Sequence, residues 1–242
     1  MKKLLSVAAA VVLISCDDGD TSGAGGEPAE LPDITFKVVL LDATAAVDTV
    51  LEGVEVCVAD RSDIPCAVSD ANGSIELELP ANSELMLRCE GPTHGPMYMT
   101  WTIGQDDIDA DTFRIIASPT MDALMVIAGA EQWPERGAII VNVYEDLATR
   151  DKLVAGATFT LTPDGGDPVY VSEAPLPDPE LEATTIGGPG VFLDLVDGEV
   201  TVSIDHPRPC SGGLGWETGS ATSLRSKIFA GGLSSVTFVC PP

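Results

Sequence analysis

A histidine can take part in catalysis or metal binding only when suitable residues lie close to it. The two histidines, His94 and His206, lie far apart, and each follows a predicted strand. No Gly-x-Ser-x-Gly motif places a serine for them to activate. No His-x-x-x-His spacing gives a metal ion two ligands on one helix face. We therefore expect both histidines to be polar surface residues, and we expect a protein that is not an enzyme and carries no cofactor.

Aspartates at alternate positions form the best candidate for an ion site. Asp107, Asp109 and Asp111 have the spacing that begins an EF-hand loop, and calcium prefers such hard oxygen ligands. The match then ends, because Thr112 stands at the glycine position and Ser118 at the glutamate position. The favoured interpretation is a solvated acidic strand face, and a weak calcium site is the alternative.

The first sixteen residues have the pattern of an export signal. Two lysines at positions 2 and 3 precede an apolar run over residues 4–14. This pattern is typical of a secretory signal peptide, and the run is shorter than the roughly 20 apolar residues that span a bilayer. The ending Leu13-Ile14-Ser15-Cys16 resembles the lipobox of bacterial lipoproteins. That resemblance implies cleavage after residue 15 and lipidation of Cys16.

Export and lipidation together predict an address. Residues 1–15 form the signal peptide, and residues 16–32, rich in Asp, Gly, Ser and Ala, form a flexible acidic tether. We expect the mature chain to sit in the cell envelope, lipid-anchored to the outer or inner membrane and facing the periplasm or the exterior. Asp17 resembles an inner-membrane retention signal of some bacteria, and the leaflet stays open.

Five cysteines follow residue 16, and an exported protein is expected to form disulfides. Cys57 and Cys66 flank a short turn and are the favoured first pair, with pairings to Cys89 as alternatives. Cys210 and Cys240 are the favoured second pair. By strand alternation Cys89 shares the inward face, which makes it a candidate buried thiol. The absence of Cys-x-x-Cys spacing argues against zinc-ribbon and thioredoxin-like sites.

Charge excludes one large class of partner. The chain carries a net charge of −26, and loss of residues 1–15 leaves 10 basic and 38 acidic residues, a net charge of −28. Such a surface repels phosphate backbones, so we expect no nucleic-acid binding. Docking on anionic lipid by charge is disfavoured too, so contact with the membrane is expected through the lipid anchor.

Short strands with period-2 patterning and regular turns dominate the rest of the chain. They predict an all-β protein with two antiparallel β-sandwich domains, transthyretin-like or immunoglobulin-like. The predicted limits are 33–118 for the first domain, 119–136 for a linker and 137–242 for the second domain. A short linker helix is predicted with Ser118 as its N-cap, Pro119 in its first turn and Gly129 at its end. A continuous apolar strand is the alternative.

The strand pattern recurs at a spacing of about 100 residues, which predicts a duplicated domain. The matching blocks are residues 37–42 with 140–145, 51–58 with 154–161, and 73–89 with 189–204. The last block aligns Ile75, Leu77 and Leu79 with Val191, Leu193 and Leu195, so it predicts that these three residues face the second core. Residues 167–182 are an insert of the second copy and are predicted to form a surface loop.

The first copy resembles a known family. Gly53-Val54-Glu55-Val56, the turn at residues 69–73 and the alternating strand at residues 75–80 resemble the carboxypeptidase regulatory-like, transthyretin-like sandwich. The second copy lacks the Asp-x-x-Gly turn. The resemblance implies a non-catalytic spacer, stabiliser or adhesive module.

These observations favour one function over two others. The leading hypothesis is a non-catalytic cell-envelope lipoprotein that acts as a structural module or binds a protein or glycan. The second is a calcium-dependent surface or adhesion module. The third is a hydrolase of envelope polymers, which would need a cleft that joins a histidine to a nucleophile or to carboxylates.

Overall fold

A computed structural model of the protein describes residues 33–242 except 46, 149, 151 and 175, and the side chains at 110 and 111 are not described. The predicted signal peptide, the predicted tether and Cys16 therefore lie outside the described residues. The elements in chain order are β1 (Asp33–Asp42), β2 (Glu55–Val58), β3 (Ala67–Val68), β4 (Ser74–Pro80), β5 (Ser83–Gly91), β6 (His94–Ile103), β7 (Ile108–Ile115), α1 (Ser118–Ala128), β8 (Gly137–Tyr144), β9 (Thr158–Thr162), β10 (Val169–Val171), β11 (Pro177–Asp178), β12 (Gly190–Leu195), β13 (Gly198–Asp205), β14 (Ser211–Leu214), β15 (Trp216–Glu217), β16 (Ser223–Ile228) and β17 (Leu233–Val239).

Strands β1–β7, the first half of the fold, form a β-sandwich. One sheet has the order β4-β1-β7, and the facing strands have the order β3-β2-β5-β6. Buried and exposed residues alternate along β4, as the period-2 pattern predicts. Apolar side chains from both layers, among them Phe36, Leu87 and Phe113, form one core. The predicted all-β sandwich fold is confirmed.

Strands β8–β17, the second half, repeat this topology. β8 pairs antiparallel with β12 and parallel with β17, as β1 pairs with β4 and β7. The facing sheet has the order β15-β16-β13-β9 and matches β6-β5-β2 of the first half. Phe159, Phe192 and Phe238 lie in a second core. Three strand pairings of the described chain are parallel, so the sheets are mixed where the sequence predicted antiparallel sheets.

A buried hydroxyl group holds the same turn in each half. Ser69 Oγ accepts a hydrogen bond from the backbone N–H of Val54 (3.0 Å) and donates to the carbonyl of Leu51 (2.6 Å). Thr184 Oγ1 repeats the arrangement, accepting from the N–H of Ala157 (2.9 Å) and donating to the matching carbonyl 2.7 Å away. Equivalent bonds at equivalent positions are the structural counterpart of the recurrent sequence blocks.

One ten-stranded sheet runs through both halves. Its path is β11-β10-β12-β8-β17-β6-β5-β2-β3, with β14 beside β17. The join is the parallel pairing of β17 with β6, in which Leu233 stands opposite Met97 and Ser235 opposite Met99. The described residues accordingly belong to one compact unit, Leu31–Pro242, that contains two hydrophobic cores. The predicted domain limits stay a prediction.

Side chains of β6 make a second contact between the halves. The Tyr98 ring stacks on Phe229 with centroids 4.3 Å apart, and the hydroxyls of Thr100 and Ser226 are 2.8 Å apart. Both Thr100 and Ser226 are fully buried. Ion pairs at the margin are Arg225 with Glu84 (2.7 Å) and Lys227 with Asp60. The halves are therefore joined by both backbone and side-chain contacts.

The predicted helix between the halves is present as α1, and its beginning differs from the prediction. The N-cap is Ala117 and not Ser118, because the Ser118 hydroxyl donates to the carbonyl of Gly95 (3.0 Å) instead of capping the helix. Gly129 ends the helix in the left-handed conformation, with φ 87°. Among the described residues, no helix is long and apolar enough to cross a membrane.

Two predictions about the second half are wrong in detail. Phe192 faces the second core, whereas Val191 and Leu193 pack against the first core. A register shift between Phe192 and Leu195, with Asp194 at φ 52°, then returns Leu195 to the second core. The insert at 167–182 is also more than a surface loop, because it supplies β10 and β11 to the edge of the ten-stranded sheet.

Candidate functional site

The cysteines have structural positions. The disulfides Cys57–Cys66 and Cys210–Cys240 are formed, which confirms both favoured pairings. Cys89 is a buried free thiol in the first core, and burial raises the pKa of Cys89 to about 12. A thiol needs its thiolate form to react, so this cysteine is suited to packing rather than to chemistry.

The two histidines lie in different environments. His94 is 9% exposed, so the prediction that it lies on the surface is wrong. Its Nδ1 is 3.0 Å from the Thr93 hydroxyl, and its Nε2 is 3.5 Å from the carboxylate of Asp42. Hydrogen bonds from Thr44 are the main cause that lowers the pKa of Asp42, with His94 a smaller one.

His206 is bonded through both ring nitrogens. Its Nε2 is 3.1 Å from the carbonyl oxygen of Ala155, and its Nδ1 accepts a hydrogen bond from the N–H of Arg208 (3.0 Å). This ring joins the loop after β13 to the segment before β9, and both of its nitrogens make contacts within the second half.

The described residues give no ready metal centre. Two groups bring metal-ligating residue types together, and each contains a disulfide: His206 with Cys210 and Cys240, and Glu55 with Cys57 and Cys66. Sulfur in a disulfide is not the thiolate that zinc binds. Each group therefore offers a single side chain that can bind a metal ion.

The three candidate calcium ligands lie at the beginning of β7. Asp107 accepts a hydrogen bond from the backbone N–H of Thr35 (2.8 Å), so one of its oxygens is occupied in the fold. Asp109 is exposed, and its charge helps to raise the pKa of Lys37, for which Glu76 is the main cause. The side chain of Asp111 is not described. Calcium binding stays a prediction.

A groove of about 280 Å³ lies between β7 and the face of the ten-stranded sheet. We call it the β7 groove. Strand β6 forms one wall with Met97 and Met99, and β14 contributes Leu214 on the other side. On the floor, β8 and β17 place Ile140 beside uncharged polar side chains, namely Asn142, Tyr144, Ser235 and Thr237.

The backbone of β7 faces this groove. β7 is the outer strand of its sheet, and on the β1 side the carbonyl of Ile115 accepts from the N–H of Ala43 (2.9 Å). Backbone groups alternate between the two edges of a strand, so those of Arg114 point away from β1. The carbonyl of Ile116 confirms this alternation, since it accepts from Gly95 (3.3 Å) on the outer side.

Two arginines bring positive charge to the groove of this strongly acidic chain. Arg150 donates to the carbonyl of Thr112 (3.2 Å), and Arg114 pairs with Asp48 (2.7 Å). Burial raises the pKa of Tyr144 on the floor, while both arginines act in the opposite direction. The phenol is therefore neutral near pH 7, and the groove presents cations and hydrogen-bonding groups together.

A second cavity, of about 510 Å³, lies where β6 diverges from β17 and β14 takes its place. It meets the β7 groove at Leu214, which lines both. Trp101 lines it and is 8% exposed, and its indole N–H has no hydrogen-bond partner among the described residues. Glycines pack closely here, since a Cβ at Gly212 would lie 2.6 Å from Leu224. The described lining residues include Glu217 and no lysine or arginine, so of these two cavities the β7 groove is the one lined by arginines.

The sequence did not indicate this groove. Its residues come from β6, β7, β8, β14 and β17, and their proximity depends on the join between the halves. The one relevant signal in the sequence was that basic residues are rare, so that Arg114 and Arg150 stand out in this acidic chain. Charge alone does not place two arginines beside the same strand edge.

No protein family and no curated protein matches the chain. Among solved structures it is similar to the TIE protein of Bacillus anthracis, with 13% identity and a TM-score of 0.29 over 85% of this chain and 33% of that chain. The chain thus spans about a third of that protein's length. The shaft pilin SpaA of Lactobacillus rhamnosus GG gives 10% identity and a TM-score of 0.25, covering 87% and 98% of the two chains. The minor pilin of Streptococcus agalactiae gives 11% and 0.26, covering 86% and 97%. Similarity at this level does not extend to function.

Proposed function

We propose that the protein is a non-catalytic module of the bacterial cell envelope, anchored by a lipid on Cys16, that presents a rigid pair of sandwiches to a protein partner. The observation that carries this proposal is the ten-stranded sheet shared by both halves. Backbone hydrogen bonds across β17 and β6 leave no free linker between the halves. A stiff body on a tether is suited to holding a binding surface away from a membrane.

The side-chain contacts between the halves support the same function. The stacked pair Tyr98–Phe229 and the buried pair Thr100–Ser226 lie beyond the backbone join. Buried hydroxyl pairs favour one arrangement, because sliding the layers would leave both hydroxyls without partners. The relative orientation of the sandwiches is therefore expected to persist in solution.

The positions of the reactive residues support a non-catalytic function. His94 is largely buried between Thr93 and Asp42, and both nitrogens of His206 contact backbone groups. A general base has to reach the proton that it removes, directly or through one water. Both nitrogens of His206 therefore make contacts within the fold, and the burial of His94 restricts access to its ring.

The resemblance of the first half to carboxypeptidase regulatory-like domains forms part of the proposal. Its signature turn has a physical role, since Asp70 Oδ1 accepts hydrogen bonds from the N–H groups of Asn72 and Ser74, both at 2.9 Å. These bonds lower the pKa of Asp70, with Ser74 the larger cause. The second half lacks this Asp-x-x-Gly turn, although Thr184 repeats the neighbouring Ser69 contacts.

Metabolic labelling tests the anchor. Cells expressing the protein are grown with an alkynyl fatty acid, and the purified chain is assayed for the label. We expect labelling of the natural chain and of Cys89→Ala, a control that removes a buried thiol, and no labelling of Cys16→Ala. Label that persists in Cys16→Ala would overturn the assignment of the anchor.

Spin-label distances test the rigid body. One label replaces Glu78 on β4 and another replaces Thr160 on β9, both exposed, in a Cys89→Ser background that keeps the disulfides. We expect a single narrow distance distribution between the two halves. A broad or double distribution would show independent movement and would remove the main support for this function.

A further inference from the structure

The two disulfides differ in how far a thiol in solution can reach their sulfur atoms. Cys66 is exposed, and Cys57 is partly buried in β2. In the other disulfide Cys210 is partly buried and Cys240 is fully buried in the second core. Thiol–disulfide exchange begins when a thiolate attacks one sulfur, so its rate depends on access to that sulfur. Cys66 is therefore the most accessible point of attack.

The loop that carries Cys66 is held to the fold by contacts other than the disulfide. Ile64 packs in the first core. Its backbone N–H donates to the carbonyl of Arg61 (3.2 Å), and the N–H of Arg61 donates to the carbonyl of Val58 (3.3 Å). The N–H of Ala59 donates to a carbonyl of β5 (2.8 Å). We therefore expect the first half to stay folded when the Cys66 bond to its partner opens.

Space for an incoming molecule lies beside this disulfide. A cavity of about 650 Å³ is lined by Cys57 and Cys66 together with the rings of Tyr98 and Phe229. These rings are stacked and give the cavity an apolar surface. Small molecules bind in clefts of about 300–1,000 Å³. The cavity is therefore large enough to hold a small thiol while its sulfur meets the disulfide.

The charges around the two sulfurs favour a thiol that carries a positive group. The carboxylate of the exposed Glu55 lies within 4.8 Å of both sulfurs. The cations near the cavity are balanced, since Arg88 pairs with Glu90, and Arg61 and Lys227 each pair with an aspartate. The remaining local charge is negative, like that of the whole chain. An ammonium group on the incoming molecule is attracted to such a site, and an anionic group is repelled.

From these observations we propose that the Cys57–Cys66 disulfide exchanges with a small thiol that carries an ammonium group, which becomes joined to Cys66 as a mixed disulfide. The thiolate of the small molecule attacks Cys66 Sγ and forms a new sulfur–sulfur bond there. The bond to Cys57 Sγ breaks, and its electron pair leaves with Cys57 as a thiolate. One disulfide and one thiolate are consumed and one of each is formed, so the step needs no oxidant or reductant. The inference goes beyond the proposed function, because it adds a stoichiometric exchange reaction to a non-catalytic module.

The positions of the two cysteines decide which sulfur leaves. Cys66 is the more exposed and is attacked, so Cys57 is released. Arg88 stands directly opposite Cys57 across β2 and β5, and its guanidinium can donate a hydrogen bond to the released thiolate. The Cys57 thiolate can later attack the mixed disulfide and restore the original bond. The exchange is therefore reversible at this site.

The experiment uses the full chain in mild detergent, with Cys89→Ala to remove the buried thiol. The probe is cysteamine, and 2-mercaptoethanesulfonate is its anionic counterpart at equal thiolate concentration. Samples taken at early times are alkylated, and mass spectrometry locates each adduct. We expect the cysteamine adduct on Cys66, alkylation of Cys57 and an intact Cys210–Cys240 disulfide.

Exchange rates separate access from charge. The Cys57–Cys66 disulfide is expected to react more than about tenfold faster than the second disulfide, which has to open locally before attack. At Cys66, cysteamine is expected to react about twofold to fivefold faster than the anionic probe, the range for an exposed charge interaction. Glu55→Gln is expected to reduce this preference. Glu78→Gln, which removes an exposed charge on β4, is the matched control.

Each of the other outcomes counts against the proposal. It is overturned by an adduct on Cys57, by equal rates at the two disulfides, or by no adduct at a cysteamine concentration that reduces the unfolded chain. Equal rates of the two probes overturn the assignment of a cationic thiol. Loss of the near-ultraviolet circular dichroism signal during exchange overturns it as well, because the folded chain is then not the reacting species. The spin-label distances test the proposed function separately, so a narrow distribution without an adduct removes the exchange site and leaves that function standing.

Discussion

The two halves of the protein have the same topology and use equivalent edges differently. In the second half the outer edge of β17 is covered by β6 and β14, and this pairing creates the ten-stranded sheet. In the first half the outer edge of β7 borders the β7 groove and is contacted by Arg150 at the Thr112 carbonyl and by Gly95 at the Ile116 carbonyl. A duplication supplies each edge twice, and here one of the two equivalent edges joins the halves while the other does not.

The halves also differ in how disulfides close them. Cys57–Cys66 ties two residues nine positions apart in a partly exposed turn. Cys210–Cys240 ties residues thirty positions apart, and Cys240 is fully buried in the second core. A crosslink that closes a longer loop removes more entropy from the unfolded chain. The second half is therefore expected to depend more on its disulfide than the first.

The largest predicted effect tests that difference. Replacing Cys210 and Cys240 by serine is expected to lower the free energy of unfolding by about 4 kcal/mol, against about 3 kcal/mol for the same change at Cys57 and Cys66. The buried position of Cys240 adds to the first value, because a serine hydroxyl there needs a partner. Urea unfolding of both double variants measures the two losses, and a larger loss at the shorter loop would reverse the comparison.

The next effect concerns the paired hydroxyls. Ser69→Ala and Thr184→Val each remove the acceptor of a buried backbone N–H, and each is expected to cost about 1–3 kcal/mol. Because the two sites are equivalent, the losses are expected to agree within about 1 kcal/mol. Ser69→Thr and Thr184→Ser keep the hydroxyl and serve as controls. If the substitution at one site leaves the free energy of unfolding unchanged, the two turns are equivalent in geometry and not in energy.

The sequence predicted what depends on local pattern. The alternation in β4 and the turn at Asp70 placed the first sandwich, and the presence of two cysteines in the second copy, Cys210 and Cys240, predicted a disulfide that formed. The inward face of β12 was assigned wrongly, because a bulge around Asp194 shifts the register between Phe192 and Leu195. A bulge changes the sheet face on which a residue lies without changing the hydrophobic pattern of the sequence.

The join between the halves was beyond prediction for a different reason. The strands β6 and β17 pair through residues that are more than a hundred positions apart in the chain. Neither strand has a sequence pattern that identifies the other as its partner. The same holds for Tyr98 and Phe229, whose stacking depends on the join. The β7 groove follows from that join, so the candidate site became visible only with the fold.

A double-mutant cycle measures the coupling of the halves. Tyr98→Ala, Phe229→Ala and the double variant are expected to give a coupling energy of about 0.5–1.5 kcal/mol, the range for stacked aromatic pairs. The pair Phe159 and Tyr170, which lies within the second half, is the control for an aromatic contact that does not bridge the halves. Calorimetry of the bridging variants would show whether one unfolding transition splits into two. A coupling energy near zero would show that the backbone pairing of β6 with β17, and not this aromatic pair, holds the halves together.

The smallest predicted effect compares equivalent acidic residues at the ends of β1 and β8. The pKa of Asp42 is lowered in the folded chain, chiefly by Thr44, so its charged form stabilises the fold above the unfolded pKa of about 4. This stabilisation is lost as the pH falls through the folded pKa. Asp42→Asn is therefore expected to be less stable than the natural chain at pH 6 and to approach it at pH 3. Glu145→Gln, at the equivalent position beside Arg208, controls for the loss of one negative charge. A deficit in Asp42→Asn that stays constant or grows on acidification, in urea unfolding at both pH values, would contradict the assignment.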